Sequence, residues 1–369
     1  MWNPWVSGGK NLKKIITVCG LSDSQVRGYL VPLIALDEVD RIYLVRRQPI
    51  DLPKVVSCSP PKWMRGILFL AEPYRFLTLF YCALTKSPAL LYGIFFFPHG
   101  LYAGLMGRLF RIKVVQEVIG TDRPKVMRSR FLQRVLSKAD HIGVRGEVSK
   151  TQLAMVGIPE EKMFTSIAVN AIDFEHFRPM DLTKKYDLIY CGRLDANKQV
   201  DVLIRSAAML RKQYPELSMV LVGDGPDRPA LENLAKALGM QEAITFAGRQ
   251  PNEAIPHFLN QSRIFVMASA FEGLPVAMIE ALSCGLPVVV PDVGDIGDVA
   301  QDGVNARLIR EVSVEGFVEE LLPLLETPQE FEKLRQGALQ SRKIFVERYA
   351  MAQVKAFWQE ILTEKEDAS

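Results

Sequence analysis

The chain has 369 residues, 45 Lys+Arg against 42 Asp+Glu and a formal net charge of +3, and 49% of its residues are hydrophobic. This near-average composition excludes a disordered tail protein, and the length predicts about two domains, each with its own core. The five cysteines lie far apart without a C-x-x-C pair, which argues against a disulfide scaffold or a structural zinc site and for buried thiols in a reducing compartment. The small net charge hides a split: residues 1–178 carry 25 Lys+Arg against 14 Asp+Glu, a net +11, and residues 179–369 carry 20 against 28, a net −8.

Short apolar runs alternate with helical patterns along the chain, which is typical of parallel sheets buried on both faces. The predicted strands form two groups of six, at residues 14–19, 41–46, 89–96, 112–118, 141–144 and 164–169, and at residues 186–191, 218–222, 243–246, 264–267, 287–290 and 306–309. A polar segment at 173–181, broken by Pro179, separates the groups. The pattern predicts an α/β chain of two doubly wound domains, with ligands bound outside the carboxyl ends of the strands in a cleft between the domains.

No membrane-spanning or exported segment is expected. The N-terminal segment lacks the basic-then-apolar order of a secretory signal. Residues 87–107 contain no Asp, Glu, Lys or Arg over 21 positions, which is long enough to span a membrane. Pro88, Gly93 and the turn at 98–100 interrupt this stretch and favour a buried strand, a turn and a helix from about Leu101. The aromatic stretch at 63–85 fits either a core helix or a helix that lies on a membrane surface.

Two cations follow the first predicted strand of the second half. Gly192 permits a tight turn at the strand end, and Arg193 and Lys198 come from the loop and helix start behind it. A guanidinium fork and an ammonium group placed there can hold the two phosphates of a diphosphate. The alternative is a pair of solvated cations. A further strand-to-helix turn, LVGDGP at 221–226, is not a dinucleotide fingerprint, because the third glycine is missing.

Two carboxylates flank a predicted helix start behind the strand at 264–267. The backbone N–H groups around Gly273 and Leu274 point at any ligand there and favour an anion such as a phosphate. Glu272 precedes this helix and Glu280 lies on it, so both can accept hydrogen bonds from the hydroxyls of a polyhydroxylated ligand. Alternatively, Glu272 caps the helix and Glu280 lies on a solvated face, although the apolar neighbours of Glu280 favour a buried role with a partner.

The order of these motifs resembles that of glycosyltransferase family 4, retaining enzymes of the GT-B fold that use nucleotide-diphosphate sugars. The motifs are GRL, KQVDVLI, LVGDGP, FAG and EGLP-x4-EA, and the resemblance covers nearly all of residues 186–309. It implies that Arg193 and Lys198 hold the donor pyrophosphate. It also implies that Glu280 binds the donor ribose and that Glu272 contacts the transferred sugar.

The resemblance completes the expected donor site. The remaining implied binding positions are Gly192, Gly248, Arg249, Gly273 and Leu274, with Gly248 and Arg249 near the base. No cofactor and no metal is implied, because the family's cations neutralise the leaving diphosphate. The expected donor is a UDP-sugar in preference to a GDP-sugar.

The first half resembles the family more weakly. The loop at Gly20 lies where the family has a glycine-rich loop near the donor phosphates, but it lacks the paired glycines. His99 matches a family histidine at a strand end that would hydrogen-bond the donor sugar, and a structural, half-buried histidine is the alternative. Ile119 stands where many relatives have a histidine. The candidates left for acceptor contacts are Glu117, Thr121 and Asp122.

The resemblance also implies domains and a function. We expect an acceptor-binding domain at 1–177, completed by a C-terminal helix at 350–369 that crosses back to it, and a nucleotide-sugar-binding domain at 178–349. The expected reaction is retaining transfer of a hexosyl group to a hydroxyl of a glycan or lipid-linked acceptor, in cell-surface polysaccharide or glycolipid synthesis. The basic first half suits docking on an anionic membrane from the cytoplasmic side, and no nucleic-acid partner is expected. The alternatives are a GT-B nucleotide-sugar epimerase and a degenerate, non-catalytic binding subunit.

Overall fold

A computed structural model describes residues 12–21, 23–119, 122–165, 172–349 and 351–364. The chain divides into two compact units: unit 1 comprises residues 1–171 and 351–369, and unit 2 comprises residues 172–350. The boundary expected between residues 177 and 178 is later than this division, because Phe174 and Phe177 are buried within unit 2. The carbonyl of Phe174 accepts a hydrogen bond of 2.8 Å from Arg342, which also belongs to unit 2.

The described part of unit 1 contains a seven-stranded sheet in the order β3-β2-β1-β4-β5-β6-β7, and its neighbouring strands are all parallel. Its strands are β1 (Lys13–Val18), β2 (Val39–Val45), β3 (Val55–Cys58), β4 (Leu90–Gly93), β5 (Val114–Glu117), β6 (His141–Val144) and β7 (Met163–Thr165). Both faces of the sheet are covered by helices, so Ile15 and Ile16, which point to opposite faces of β1, are both fully buried.

Helices from both ends of the chain cover the sheet of unit 1. They are α1 (Asp23–Ile34), α2 (Leu68–Lys86), α3 (Leu101–Phe110), α4 (Asp122–Arg128), α5 (Arg130–Leu136), α6 (Glu147–Met155) and α13 (Met351–Thr363). Helix α13 packs on this unit through Trp358, whose ring meets Tyr92 of β4 edge-on at 4.9 Å between centroids. The Nζ of Lys113 donates to the carbonyl of Ile361 at 2.9 Å. The predicted return of a C-terminal helix to the first domain is therefore confirmed.

The described part of unit 2 also contains a parallel sheet covered by helices, here with six strands in the order β10-β9-β8-β11-β12-β13. Its strands are β8 (Tyr186–Cys191), β9 (Met219–Val222), β10 (Ile244–Gly248), β11 (Ser262–Val266), β12 (Val288–Pro291) and β13 (Ala306–Ile309). Its helices are α7 (Val200–Leu210), α8 (Arg228–Ala237), α9 (Ile255–Asn260), α10 (Val276–Ser283), α11 (Val314–Glu326) and α12 (Pro328–Tyr349).

The predicted class of two doubly wound α/β sheets is confirmed, with differences in the first half. Strand β3 was not predicted, because it is a partly exposed edge strand without a continuous apolar run. Strand β4 ends at Gly93 instead of residue 96, where the chain enters a turn that leads to α3 at the predicted Leu101. Residues 166–169 of the last predicted strand of this half lie outside the described residues. The five cysteines are all free, and Cys58 and Cys191 are partly exposed instead of buried.

Each sheet reverses its strand order at one point, next to its first strand. In unit 1 the strands run outward from β1 through β2 to β3 on one side and from β4 onward on the other, and in unit 2 the same reversal lies between β8 and β11. The loops that leave such neighbouring strands diverge to opposite sides of the sheet and open a crevice at their carboxyl ends. This topology places a candidate site within each unit.

Helix α2 has a buried face and an exposed apolar face. Its buried residues are Ala71, Arg75, Leu79, Cys82 and Ala83, and the large apolar residues on the opposite side are Phe69, Leu77, Phe80, Tyr81 and Leu84, which are exposed. The helical repeat of 3.6 residues brings each set onto one side. Of the helices within the described ranges, none combines the length and apolar character that crossing a membrane requires.

Candidate functional site

In unit 2, the loops behind β8 and β11 bring Lys198 and Glu272 together. Their side chains form an ion pair between Nζ and Oε1, and they are only 22% and 11% exposed. Asn197 connects the two loops, because its Nδ2 donates to the carbonyl of Phe271 at 2.9 Å and its own carbonyl accepts from Ala270 at 2.8 Å. The topology thus joins a predicted phosphate ligand and a predicted sugar ligand at the strand-order reversal of unit 2.

Arg193 lies on the same turn but faces solvent. Its Nε is 3.1 Å from Asp195 Oδ2, and its side chain is 70% exposed. The hydroxyl of Tyr190 in β8 donates to the carbonyl of Arg193 at 2.7 Å and holds the turn in place. Burial, followed by the charge of Glu272, raises the pKa of the Tyr190 hydroxyl, so this group stays protonated as a donor. Arg193 is therefore an exposed cation on a fixed turn.

Glycines let the turns behind β8, β9 and β10 lie against one another. Gly223 has a φ of +143°, and a Cβ on it would lie 1.8 Å from the carbonyl oxygen of Gly192. The N–H of Gly223 donates to the carbonyl of Gly248 at 2.9 Å, which connects the predicted base-binding stretch to this cluster. Arg249 follows Gly248 and is exposed. The LVGDGP motif therefore has a structural role: it lets the loops of the candidate site approach closely.

Helix α10 begins behind the loop of β11 and carries Glu280. The predicted helix start is close, since α10 begins at Val276 with Pro275 as its N-terminal cap. Gly273 fixes the loop through its carbonyl, which accepts from Asp295 at 3.1 Å, and Leu274 is buried. Glu280 retains some exposed surface, yet desolvation of its carboxyl raises its pKa to about 7. This carboxylate is easily stabilised by hydroxyl donors, because burial has removed much of its hydration.

In unit 1, a cavity of about 580 Å³ opens at the carboxyl ends of β1, β2 and β4. Gly20 and His99 both line it, and a Cβ on Gly20 would lie 2.6 Å from His99 Cε1, so only a glycine leaves room for the imidazole. His99 is 7% exposed, and neither ring nitrogen has a hydrogen-bond partner within the described ranges. Burial, assisted by the charge of Arg75, lowers the pKa of His99 to about 3, so its imidazole is neutral.

The cavity also holds charged residues that sequence reasoning missed. These residues are Asp23, Arg46, Arg47, Glu72 and Arg75. A detectable signal was present for two of them, because Arg46 and Arg47 directly follow the apolar strand β2, as Arg193 follows β8. Arg75 lies on a predicted apolar helix, where only the tertiary structure shows that it points to the sheet.

Two of the candidate acceptor contacts have structural partners. Glu117 is fully buried and accepts a hydrogen bond of 3.1 Å from the hydroxyl of Tyr92. Asp122 is also fully buried, and its Oδ2 accepts from the backbone N–H of Phe96 at 2.6 Å, which fixes the turn that carries His99. Burial raises the pKa of Asp122 to about 6 despite these bonds. Thr121 lies outside the described residues.

At the sequence level, known proteins resemble mainly unit 2 of this chain. Residues 172–341 match the family model described as glycosyl transferases group 1. The chain is 28% identical over 167 residues to an alpha-D-kanosaminyltransferase of Streptomyces kanamyceticus, covering 44% of this chain and 43% of that protein. It is 29% identical over 192 residues to a D-inositol 3-phosphate glycosyltransferase of Frankia alni, covering 47% of each. The chain thus spans about half the length of the curated relatives it matches.

Solved structures match over nearly the whole chain. The Anabaena protein Alr3699/HepE, crystallised with UDP and glucose, superposes with a TM-score of 0.74 at 17% identity, over 95% of this chain and 99% of that one. The apo form of the lipopolysaccharide outer core galactosyltransferase WaaB superposes with a TM-score of 0.68 at 17% identity, over 95% and 98%. The chain accordingly has the GT-B fold of two Rossmann-like domains that its sequence predicts, and within it residues 172–341 are similar to the glycosyl transferases group 1 model.

Proposed function

We propose that the chain is a retaining glycosyltransferase that moves a hexosyl group from a nucleotide-diphosphate sugar to a hydroxyl of a glycan or lipid-linked acceptor. We propose a UDP-sugar as the donor, in preference to a GDP-sugar, and a reaction without a metal or cofactor. The observation that carries this proposal is the enclosed Lys198–Glu272 pair at the strand-order reversal of unit 2. A solved structure of the same fold is a complex with UDP-glucose, which supports the choice of donor.

The groups around this pair suit the donor's parts. A diphosphate competes with Glu272 for the ammonium of Lys198, and the carboxylate thereby released can accept hydroxyls of the sugar. Arg193, 70% exposed and paired with Asp195, can exchange that carboxylate for the phosphates and bind them as a bidentate donor. Glu280, with a desolvated carboxyl, is suited to accept hydroxyls of the ribose.

The proposed chemistry breaks one bond and makes one. The bond between the anomeric carbon and the β-phosphate oxygen breaks while the acceptor oxygen bonds to the same face of that carbon, which preserves its configuration. The acceptor's proton passes to an oxygen of the leaving diphosphate. Lys198 and Arg193 stabilise the negative charge that develops on the diphosphate. Loss of one such electrostatic interaction in the transition state costs about 10²- to 10³-fold in turnover.

The test combines donor binding with turnover. We expect UDP to raise the melting temperature more than GDP or ADP does, and a UDP-hexose to be consumed with UDP release and an axial or equatorial linkage matching that of the donor. Lys198→Ala should lower turnover by about 10²-fold or more, whereas leaving the Glu272 carboxylate unpaired should cost only about 1–3 kcal/mol of fold stability. Lys212→Ala, an exposed lysine of the same unit, is the matched control.

Other outcomes of this assay exclude the proposal. Near-full activity of the Lys198→Ala variant would contradict the assigned role. Conversion of the donor sugar without any acceptor indicates an epimerase. Donor binding without turnover, in assays that supply both glycan and lipid-linked acceptors, indicates a non-catalytic binding subunit.

We further propose that unit 1 docks on an anionic membrane at the cytoplasmic face, where it reaches lipid-linked acceptors for cell-surface polysaccharide or glycolipid synthesis. The exposed apolar face of α2 supports this proposal, as does Trp63 in the turn before it, which is 67% exposed. The net charge of +11 on residues 1–178 favours an anionic surface. Apolar side chains that insert at the headgroup boundary and basic residues that attract anionic lipids act together in such binding.

Vesicle sedimentation at low salt tests this docking. The protein should bind vesicles rich in phosphatidylglycerol and not vesicles of phosphatidylcholine alone. Phe69→Glu and Leu77→Glu, both on the exposed face of α2, should each weaken binding several-fold. Leu238→Glu introduces the same charge at an exposed leucine of unit 2 and should leave binding unchanged. Equal losses in all three variants would show that α2 is not the docking surface.

A further inference from the structure

The cavity of unit 1 contains cations that are almost completely removed from solvent. Arg46 and Arg75 are 4% and 2% exposed, and both line the cavity beside His99. A buried guanidinium whose N–H groups lack acceptors costs free energy, because water no longer solvates it. The arrangement of these groups therefore indicates what the cavity is built to hold.

Arg46 is fixed on one side and open on the other. Its Nη2 donates to the carbonyl of Leu21 at 2.9 Å and lies 2.8 Å from Asp23 Oδ1. Its Nη1 is buried and has no hydrogen-bond partner among the residues described. The partner carboxylate of Asp23 is itself 61% exposed, so it does not enclose the guanidinium.

Arg75 has the same arrangement. Its Nη2 donates to the carbonyl of Cys19 at 2.5 Å, and its Nη1 donates to Glu72 Oε1 at 2.6 Å. Its Nε is buried without an acceptor in the described part of the chain, and so is Glu72 Oε2 without a donor. Two guanidinium groups, held by backbone carbonyls just beyond the end of β1, thus keep N–H groups unused.

The charges that line the cavity favour an anion that also bears hydroxyls. Arg47 adds a third guanidinium, against the two carboxylates of Asp23 and Glu72. A phosphate group presents several acceptor oxygens and matches the planar fork of arginine. Neutral His99 and Glu72 Oε2 are suited to hydroxyl groups next to that phosphate. A volume of about 580 Å³ is within the range of small-molecule sites.

We propose that this cavity binds the phosphate group of a hydroxyl-bearing acceptor through Arg46, Arg47 and Arg75, with His99 and Glu72 on the acceptor's hydroxyls. For His99 this replaces the contact with the donor sugar that the resemblance implies. This inference rests on the proposed function, since it assigns the acceptor class of the same enzyme. The phosphate belongs either to a lipid headgroup or to a soluble sugar phosphate. Leu68 lines the cavity and begins α2, whose exposed apolar face offers a path for a lipid chain.

The test measures phosphate binding with the donor site blocked. Inorganic phosphate and glycerol 3-phosphate are titrated at constant ionic strength into the full chain saturated with UDP. The same titration in an Arg193→Ala, Lys198→Ala variant removes the phosphate ligands of unit 2 and keeps the test valid even where UDP does not bind. Failure to bind UDP then contradicts the proposed function alone, and failure to bind phosphate contradicts this inference alone.

Three arginine variants locate the site. Arg46→Gln should weaken phosphate binding at least tenfold. Arg47→Gln changes an exposed residue, so it should leave the fold stable and weaken phosphate binding about three- to tenfold. Arg41→Gln removes the same charge from the exposed start of β2, away from the cavity, and should change nothing. Absence of saturable phosphate binding, or an equal loss in Arg41→Gln, would overturn the inference.

Competition distinguishes the two phosphate sources. Vesicles of phosphatidylglycerol that displace glycerol 3-phosphate, while phosphatidylcholine vesicles do not, identify a lipid headgroup. Glycerol 3-phosphate that stays bound in the presence of both vesicles identifies a soluble sugar phosphate. Glycerol itself should bind at least tenfold more weakly than glycerol 3-phosphate, and equal affinities for the two would exclude phosphate recognition.

Discussion

The two units place polar side chains at the same topological point, but the cationic side chains differ between them in burial and in hydrogen bonding. In unit 2 the candidate cations Arg193 and Lys198 keep 70% and 22% of their side-chain surface exposed, and each is paired with a carboxylate. In unit 1 the cavity cations Arg46 and Arg75 also have carboxylate partners, but they are almost fully buried, and each retains an N–H group without an acceptor among the described residues. Unit 2 also has buried atoms without partners, such as Ser269 Oγ, but those at its candidate site are neutral or acceptor groups.

This difference shows how each unit can prepare a site for an anion. The Lys198–Glu272 pair gives its ammonium group a carboxylate partner in the absence of a ligand, and an arriving diphosphate can replace that carboxylate without leaving the ammonium group unpaired. A buried cation with unused N–H groups destabilises the fold until a ligand supplies acceptors. The proposed anion site of unit 1 is therefore the more preorganised of the two. In that unit, the groups that would bind the ligand also lower the stability of the fold.

The largest expected effect tests whether close turns hold the site of unit 2. Gly223→Ala places a Cβ 1.8 Å from the carbonyl oxygen of Gly192, so the turn that carries Arg193 must shift. A displacement of about 1 Å at a binding constellation can cost about 10²-fold, and we expect that loss in UDP affinity. Calorimetric titration with UDP measures it.

Gly239→Ala is the control for backbone strain alone. Gly239 also has a positive φ, +69°, but a Cβ there has no atom within 4 Å. It should lower stability by about 1 kcal/mol and leave UDP affinity unchanged. Because Trp358 is buried in unit 1, its fluorescence should be the same in both variants, and a changed signal in Gly223→Ala would show that the effect is not local to unit 2.

The second prediction concerns the protonation of Glu280. Its pKa is raised from 4.5 to about 7, and hydroxyl donors of a bound ribose favour the ionised carboxylate, so binding releases a proton below about pH 7. UDP-glucose affinity should fall by about tenfold or more between about pH 7.5 and about pH 5.5, as linkage to one proton requires. Titration with UDP-glucose is preferred, because its phosphates do not titrate in this range.

Two variants separate Glu280 from the rest of the protein. Glu280→Gln should give a flat affinity profile over this range, whereas Glu216→Gln, an exposed carboxylate of unit 2, should keep the slope. The raised pKa also affects folding: the folded state holds the proton that the unfolded state loses, so stability falls as pH rises from about 4.5 to about 7. This loss should be absent in Glu280→Gln, and an unchanged loss would show that another group titrates.

The sequence predicted unit 2 better than unit 1 for physical reasons. The strands of unit 2 are continuous apolar runs and its candidate site residues follow them within a few positions, so Gly192, Lys198 and Glu272 could be predicted as candidates from their spacing. In unit 1, the strand β3 is half-exposed and has no apolar run, and Arg75 is separated by 56 positions from Cys19, whose carbonyl it contacts. Sequence spacing cannot show that a helical arginine points at a sheet, nor that Lys198 pairs with Glu272, because both depend on tertiary packing.

The smallest expected effect tests whether a side chain that serves the proposed site of unit 1 also destabilises the fold. His99 is a buried, neutral imidazole without hydrogen-bond partners in the described ranges, and burial of such a polar group costs about 1–3 kcal/mol. His99→Leu keeps a similar volume beside Gly20 and removes the polar atoms, so we expect the free energy of unfolding of unit 1 to rise by about 1 kcal/mol while turnover falls. Urea denaturation followed by tryptophan fluorescence measures unit 1, since Trp358 is fully buried in it.

Lys198→Met makes the corresponding change in unit 2, where the polar group has a partner. It leaves the Glu272 carboxylate, which is only 11% exposed, without its ammonium partner, so the free energy of unfolding, followed by far-UV circular dichroism, should fall by about 1–3 kcal/mol. The sign of the two changes is the decisive readout, because both variants should lose turnover. A His99→Leu variant that is less stable than the parent would show that the imidazole is satisfied in solution, and the contrast between the units would then rest on the arginines alone.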